Sequence, residues 1–357
     1  MPPSTPPCDA TFSARLIAWQ KQHGRHLLPW QQTRDAYRIW LSEIMLQQTQ
    51  VATVIPYFQR FLERFPDVNA LAQAPVEAVL ENWSGLGYYA RARNLHRCAK
   101  VVAEQHGGKF PRQPQALAAL PGIGRSTAAA IAAFAYGVRA AILDGNVKRV
   151  FARHFGVDGF PGALAIERQL WALAESLLPA QGVEAYTQGL MDLGATVCTR
   201  GTPACPRCPL RESCVALAQG RVAELPQARP RKPKPEREVT LLLLCDGPSV
   251  LLERRPSQGI WGGLLSLPEQ GSALEELEEI VAARFACRVL SQREYPGFRH
   301  TFTHFHLDIR AMVCTVERLP DAAPEAARQV WMPLSEAVRA SVPAPIRRIL
   351  QGVSLKD

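Results

Sequence analysis

The sequence predicts a multidomain α plus α/β chain: an all-α domain over residues 8–225 and a small α/β domain over residues 239–357. Three observations predict it. The chain has 357 residues, and one hydrophobic core usually serves about 100–200, so two domains are expected. Between 12 and 220 apolar residues recur at helical spacing, as in Leu41, Ile44 and Met45 or Ala128, Ile131, Ala132 and Ala135, and strand-like alternation is scarce. The pattern then changes after PQARPRKPKPERE at 226–238, whose four prolines and five basic residues read as an extended charged linker.

In the first domain, Pro29, Pro56, Pro66, Pro75, Pro111, Pro121 and Pro179 stand where helices are expected to begin or end. Beyond the linker, Val239–Cys245, Val250–Leu252, Thr301–Ile309 and Val330–Met332 have strand character. Leu274–Phe285 and Pro343–Leu350 are expected helices, which makes a small α/β unit.

Composition narrows the function. Hydrophobic residues make up 47% and charged residues 20%, values of a folded chain rather than a disordered one. No apolar run approaches the roughly 20 residues that cross a bilayer. The Pro-rich start, Met1 to Ala10, lacks the charged head and apolar middle of a secretory signal. A membrane or secreted protein is therefore not expected. The balance of 41 Lys and Arg against 32 Asp and Glu gives +9, which favours a polyanionic partner, nucleic acid first. Charge alone also fits a merely basic enzyme.

Four of the nine cysteines cluster at Cys198, Cys205, Cys208 and Cys214, while Cys8, Cys98, Cys245, Cys287 and Cys314 are scattered. Scatter argues against a disulfide framework and for a reducing, cytoplasmic compartment. The cluster reads as a metal site; four thiolates suit zinc or a [4Fe–4S] cluster.

Three further segments carry chemistry. In Leu120-Pro-Gly-Ile-Gly-Arg-Ser-Thr-Ala128, Gly122 and Gly124 make a tight turn, and Ser126 or Thr127 falls in the first turn of a new helix. Backbone N–H groups and the positive dipole end there suit a phosphate, although an ordinary helix–turn–helix corner looks the same. In Leu143-Asp-Gly-Asn-Val-Lys-Arg-Val150, Asp144 is placed as an N-cap, and a capped carboxylate stays ionised at pH 7. An isolated helical Glu is usually solvated. Glu43, however, sits among Trp40, Leu41, Ile44 and Met45, where burial would raise its pKa.

Together with LPW at 28–30, SEIMLQQTQV at 42–51, GLGYYARARNLH at 85–96, MDLGA at 191–195 and the C-x6-C-x2-C-x5-C spacing, these segments resemble the helix-hairpin-helix DNA glycosylases. Within that group they resemble the adenine DNA glycosylases, the MutY family. The likeness covers most of residues 12–220 and continues in FRHTFTHFHLDI at 298–309, similar to the family's C-terminal recognition loop. It implies duplex DNA holding adenine opposite 8-oxoguanine or guanine as substrate, with the adenine flipped out of the stack. It implies Glu43 as the acid that protonates adenine at N7. It implies Asp144, supported by Asn146, as the carboxylate that stabilises an oxocarbenium-like sugar.

Further roles come by the same resemblance. Trp30 and Gln188 match the adenine pocket, Gln48 and Tyr88 the wedge into the stack, and Leu86 the loop that faces 8-oxoguanine. For Tyr88 the plain alternative is core packing. Gly122 and Gly124 carry the DNA-binding hairpin. Phe302, Thr303 and His304 stand where the family reads 8-oxoguanine with Phe-Ser-His; an edge strand is the plain alternative. The cysteine spacing is similar to the family's [4Fe–4S] loop, which would hold Arg200, Arg207 and Arg211 against phosphates.

Residues 239–357 resemble a Nudix fold. Glu275, Glu276, Glu278 and Glu279 do not form the R-E-x-x-E-E-x-G array that hydrolysis needs, so damage recognition is expected. Ser126 separates the chain from endonuclease III-type lyases, which carry a Lys there; serine forms no Schiff base. A monofunctional, monomeric enzyme acting on DNA is expected, its abasic product passing to an abasic-site endonuclease. The alternatives are an endonuclease III-like lyase for oxidised pyrimidines and a non-catalytic DNA-binding scaffold.

Overall fold

The computed structural model describes residues 10–230, 233–256, 259–271, 276–319 and 328–354. Helices make up the first part. They are α1 (Ala10–His23), α2 (Ala36–Leu46), α3 (Val51–Arg64), α4 (Val68–Gln73), α5 (Val76–Trp83) and α6 (Ala90–Gln105). There follow α7 (Pro114–Ala118), α8 (Arg125–Tyr136), α9 (Gly145–His154), α10 (Leu164–Ser176), α11 (Val183–Asp192) and α12 (Val215–Ala218). The chain folds as two compact units, Met1–Gln73 with Asn94–Arg231, and Ala74–Arg93 with Lys232–Asp357.

In the helical unit, Phe12 and Leu16 of α1 pack with Phe151 of α9, Leu170 of α10 and Tyr186 of α11. Burial of each such side chain contributes about 1.5–3 kcal/mol. Helix α2 is started by Asp35, whose carboxylate accepts from the Tyr37 and Arg38 N–H groups. Its Trp40, Leu41 and Met45 are fully buried, so the core fixes the helix on nearly every side. Helices α7 and α8 form a hairpin in which Gly122 has φ +78°, and a Cβ there would lie 2.7 Å from the Asn94 Cβ. Gly124 caps α8, which puts Ser126 and Thr127 in its first turn.

One proline differs from the sequence reading. Pro56 lies inside α3. Buried Val54, Phe58 and Phe61 hold that helix together across the missing N–H, so packing outweighs one lost hydrogen bond.

The second unit is built on seven strands among the described residues: β1 (Glu236–Asp246), β2 (Ser249–Arg254), β3 (Leu265–Ser266), β4 (Glu269–Gln270), β5 (Cys287–Thr301), β6 (His306–Arg318) and β7 (Gln329–Pro333). Their order is β3-β2-β1-β6-β5, with β4 on β1 and β7 on β2. β1 and β6 run parallel, Val239 opposite Ile309. One sheet face, with Leu242, Leu244 and Leu251, packs on Val281 and Phe285 of α13 (Leu277–Phe285). Two more helices, α14 (Leu334–Ala337) and α15 (Ala344–Ser354), complete the unit.

The second unit also takes in α5 and the start of α6, which the contiguous 8–225 domain did not foresee. Within that unit Arg93 donates to the Gly262 carbonyl at 2.7 Å, Arg347 donates to the Ser84 hydroxyl at 3.0 Å, and a Cβ at Gly263 would lie 3.6 Å from Leu80 Cδ1. β1 begins at Glu236, so the last residues of the expected linker are strand. Thr301–Ile309 is not one strand. It is the tip of a β5–β6 hairpin, closed where the Phe302 N–H meets the Phe305 carbonyl at 2.9 Å. Cys8, Leu274 and Glu275 lie outside the described residues. Among the described residues no helix is long and apolar enough to cross a membrane.

Candidate active site

A cavity of about 330 Å³ opens in the helical unit, a size that suits one small ligand. Trp30, Glu43, Leu46, Val51, Gln188 and Met191 line it. Trp30 is held edge-on by Phe58, ring centroids 5.5 Å apart.

Glu43 projects from the middle of α2, half-buried on the cavity wall. Its surroundings are dense enough that burial, helped by the negative charge of Asp144, raises its pKa to about 8. Asp144 is the N-cap of α9 and accepts from the Val147 N–H at 2.8 Å. Burial pushes its carboxyl up as well, but the N–H groups of Val147 and Asn146 and the charges of Arg149 and Lys148 act against that. Glu43 has no such opposing partners among the causes that set its pKa. The structure thus couples the two carboxyls electrostatically and surrounds them differently. Asp144 is not itself on the cavity wall.

Ser126 proves to be a tether: its Oγ accepts from the Leu143 N–H at 2.9 Å, one residue before Asp144. The Asn146 side chain accepts from Arg149 at 2.8 Å, and its backbone N–H is the group that bonds Asp144. Arg149 was not singled out in the sequence. It also donates to the carbonyls of Cys198 and Gly194, each at 2.8 Å, so α9 is bonded to the segment that leads into the cysteine loop. A basic residue one turn past a capping Asp was the available signal.

Gln48 and Tyr88 share an unusual feature. Both are exposed and both have positive φ, 58° and 48°, which costs non-glycine residues of order 1–3 kcal/mol. The exposure of Tyr88, 48%, sets aside core packing for that ring. Leu86, expected in a DNA-facing role, has its side chain buried. A Cβ at Gly124 would meet nothing within 4 Å, so the hairpin is open on that side.

Cys198, Cys205, Cys208 and Cys214 line one small cavity of about 30 Å³, together with Arg153 and Arg211. Burial raises the Cys208 thiol to about 11, and the other three cysteines push it the same way. Among the described residues no three Cys, His, Asp or Glu side chains converge on a position for a single metal ion. Four thiols on one cavity are a donor set that suits zinc or a [4Fe–4S] cluster.

At the β5–β6 tip, Phe302 is half-buried and stacks on buried Phe305, centroids 4.5 Å apart and planes 19° apart. Thr303 and His304 are exposed. The loop is therefore a turn anchored by Phe302, not an edge strand.

Two family models match the chain: HhH-GPD superfamily base excision DNA repair protein over residues 41–176, and NUDIX domain over residues 239–352. The adenine DNA glycosylase of Buchnera aphidicola subsp. Acyrthosiphon pisum (strain APS) is 33% identical over 341 residues, 96% of this chain and 97% of that protein. The adenine DNA glycosylase of Mus musculus is 32% identical over 95% of this chain and 77% of its own. Among solved structures, a thermostable thymine-DNA glycosylase superposes with a TM-score of 0.54 at 30% identity, covering 58% of this chain and 96% of that one. A non-covalent endonuclease III–DNA complex gives 0.50 at 21% identity, covering 59% of this chain and 95% of that one, a likeness of fold alone.

Proposed function

The chain belongs to the adenine DNA glycosylases, DNA glycosylases of base excision repair, and from that premise we propose that it removes adenine paired with 8-oxoguanine or guanine. One observation carries the mechanism: a carboxyl with pKa about 8 on the wall of a base-sized cavity, coupled to a second carboxyl held by N–H donors and cations. The adenine is flipped into the cavity lined by Trp30 and Gln188. Glu43, still protonated at neutral pH, gives its proton to adenine N7. The bond from the sugar to N9 breaks, its electrons leave with the neutral base, and the sugar becomes an oxocarbenium ion. Asp144 stabilises that charge until water adds to the sugar carbon, its proton restoring the Glu43 carboxyl. Asn146 shares in holding Asp144 through its backbone N–H, and Ser126 through Leu143.

Gln48 and Tyr88 wedge into the stack, with Leu86 supporting the loop from within, and the Gly122–Gly124 hairpin takes a phosphate. Thr303 and His304, presented by Phe302, read 8-oxoguanine. Cys198, Cys205, Cys208 and Cys214 fit a [4Fe–4S] cluster, which when bound ties the loop together and supplies no acid or nucleophile. Residues 8–225 act as the catalytic domain and 239–357 as the recognition domain. The enzyme works as a monomer and passes its abasic product to an endonuclease.

Duplexes holding A opposite 8-oxoguanine, A opposite guanine or an oxidised pyrimidine, treated with and without alkali, test this. Adenine release opposite 8-oxoguanine, with strand breaks only after alkali, is expected. Because Ser126 offers no amine, borohydride should trap little cross-linked DNA. Alkali-independent cutting at an oxidised pyrimidine would establish a lyase instead, and binding without base release a scaffold.

A further inference from the structure

Behind the cavity wall lies a buried carboxylate that the mechanism above does not use. Asp192, at the end of α11, is fully buried. Its Oδ1 accepts from Arg25 Nε at 2.6 Å and from Gln188 Nε2 at 2.8 Å, and its Oδ2 accepts from the Arg25 backbone N–H at 2.8 Å. Arg25 and Gln188 line the cavity; Asp192 stands behind them.

The chemistry of the partners fixes an atom assignment. A carboxylate paired with a guanidinium has no proton to donate, so only the nitrogen of the Gln188 amide can face it. The carbonyl Oε1, on the other branch of the amide, is the one acceptor Gln188 has to offer, with the second Nε2–H beside it. A free glutamine amide can present either end. This one is locked by a partner that is itself held at both oxygens.

We propose that Asp192, held by Arg25, is a positioning residue that fixes Gln188 as a hydrogen-bond acceptor and so selects purines with a 6-amino group over those with a 6-keto group. This rests on the reading that the cavity takes adenine. The 6-amino group of adenine donates to Oε1. Hypoxanthine places an oxygen there, and two acceptors face each other with water excluded, a mismatch that polar sites reject strongly. The substitution Asp192→Asn puts an amide in place of the carboxylate. That amide supplies an N–H of its own, so the Gln188 side chain gains the freedom to turn over.

The test compares wild type with Asp192→Asn in single-turnover excision of adenine, hypoxanthine and unsubstituted purine, each opposite 8-oxoguanine. Wild type is expected to prefer adenine over hypoxanthine by about a hundredfold or more. In Asp192→Asn that ratio should fall about tenfold or more, while hypoxanthine gains on unsubstituted purine. Unchanged ratios in a folded variant overturn the proposal. A second measurement needs no change at position 192. In protein labelled with 15N-glutamine, the Gln188 side-chain protons, identified by their loss in Gln188→Met, should exchange far more slowly than those of exposed glutamines. Exchange as fast as theirs also overturns it. If wild type releases adenine from no duplex, the underlying reading fails; if it does and only the ratios stand still, this inference fails alone.

Discussion

Replacing Glu43 by Gln is expected to abolish base removal and at the same time make the protein more stable, by an amount that depends on pH. The raised pKa of about 8 means that the folded state keeps the proton while the unfolded chain loses it near 4.5. Between those values the native state binds more protons, so Glu43 costs stability as pH rises from 4.5 to 8. The cost grows by about 1.4 kcal/mol per pH unit, to about 3 kcal/mol at pH 7 and about 5 kcal/mol above pH 8. Because the carboxyl keeps some contact with the cavity, these are upper bounds. Glutamine is neutral throughout and nearly the same shape, so the variant escapes the whole term. For a domain of this size roughly 2–4 °C in Tm corresponds to 1 kcal/mol, so the helical unit should melt several degrees higher at pH 7. Calorimetry of both proteins from about pH 5.5 to about pH 8.5 is the assay, with single-turnover base release alongside. Wild-type base release should also decline as pH climbs through about 8, where Glu43 gives up its proton. A variant no more stable than wild type at pH 8, or a gain that does not change with pH, would refute the buried, proton-holding state.

Asp144→Asn should lose base release by roughly 10²-fold or more, yet bind DNA and melt no lower than wild type, because asparagine caps a helix as well as aspartate and escapes the burial cost that raises the Asp144 carboxyl. Titration calorimetry and single-turnover rates separate the two effects. Ser126→Ala leaves the Leu143 N–H without its acceptor and should cost about 1–3 kcal/mol in denaturant unfolding, with a slower chemical step and little change in DNA affinity. Cys205→Ser should lower iron and sulfide per chain and destabilise the helical unit, readable by metal analysis and melting; zinc in the wild-type protein in place of iron would contradict the cluster assignment. Phe302→Ala should unstack from Phe305 and cost about 0.5–1.5 kcal/mol, whereas His304→Ala should leave stability alone and reduce the preference for 8-oxoguanine over guanine in gel-shift titrations.

Much of this was legible beforehand because local patterns and core packing agree. The cap at Asp144, the glycines of the α7–α8 hairpin and the apolar spacing of α2 each point to the element that forms. What stayed hidden was set by contacts distant in sequence. Pro56 read as a boundary because a proline cannot show that Phe58 and Phe61 hold its helix from the other side. β5 escaped notice because most of its residues are exposed, its ladder is broken by two bulges, and it carries little alternation. Arg149, Arg25 and Asp192 look like ordinary surface charges until the fold brings Arg149 to the Cys198 and Gly194 carbonyls and Arg25 to Asp192. The bond from Arg93, on α6, to the Gly262 carbonyl likewise has no trace in composition.

The left-handed backbone at Gln48 and Tyr88 means that glycine at either place would relieve the local penalty. What the longer side chains add in exchange is outward reach: both are exposed, and the Tyr88 ring centre stands 5.6 Å from the Arg91 guanidinium.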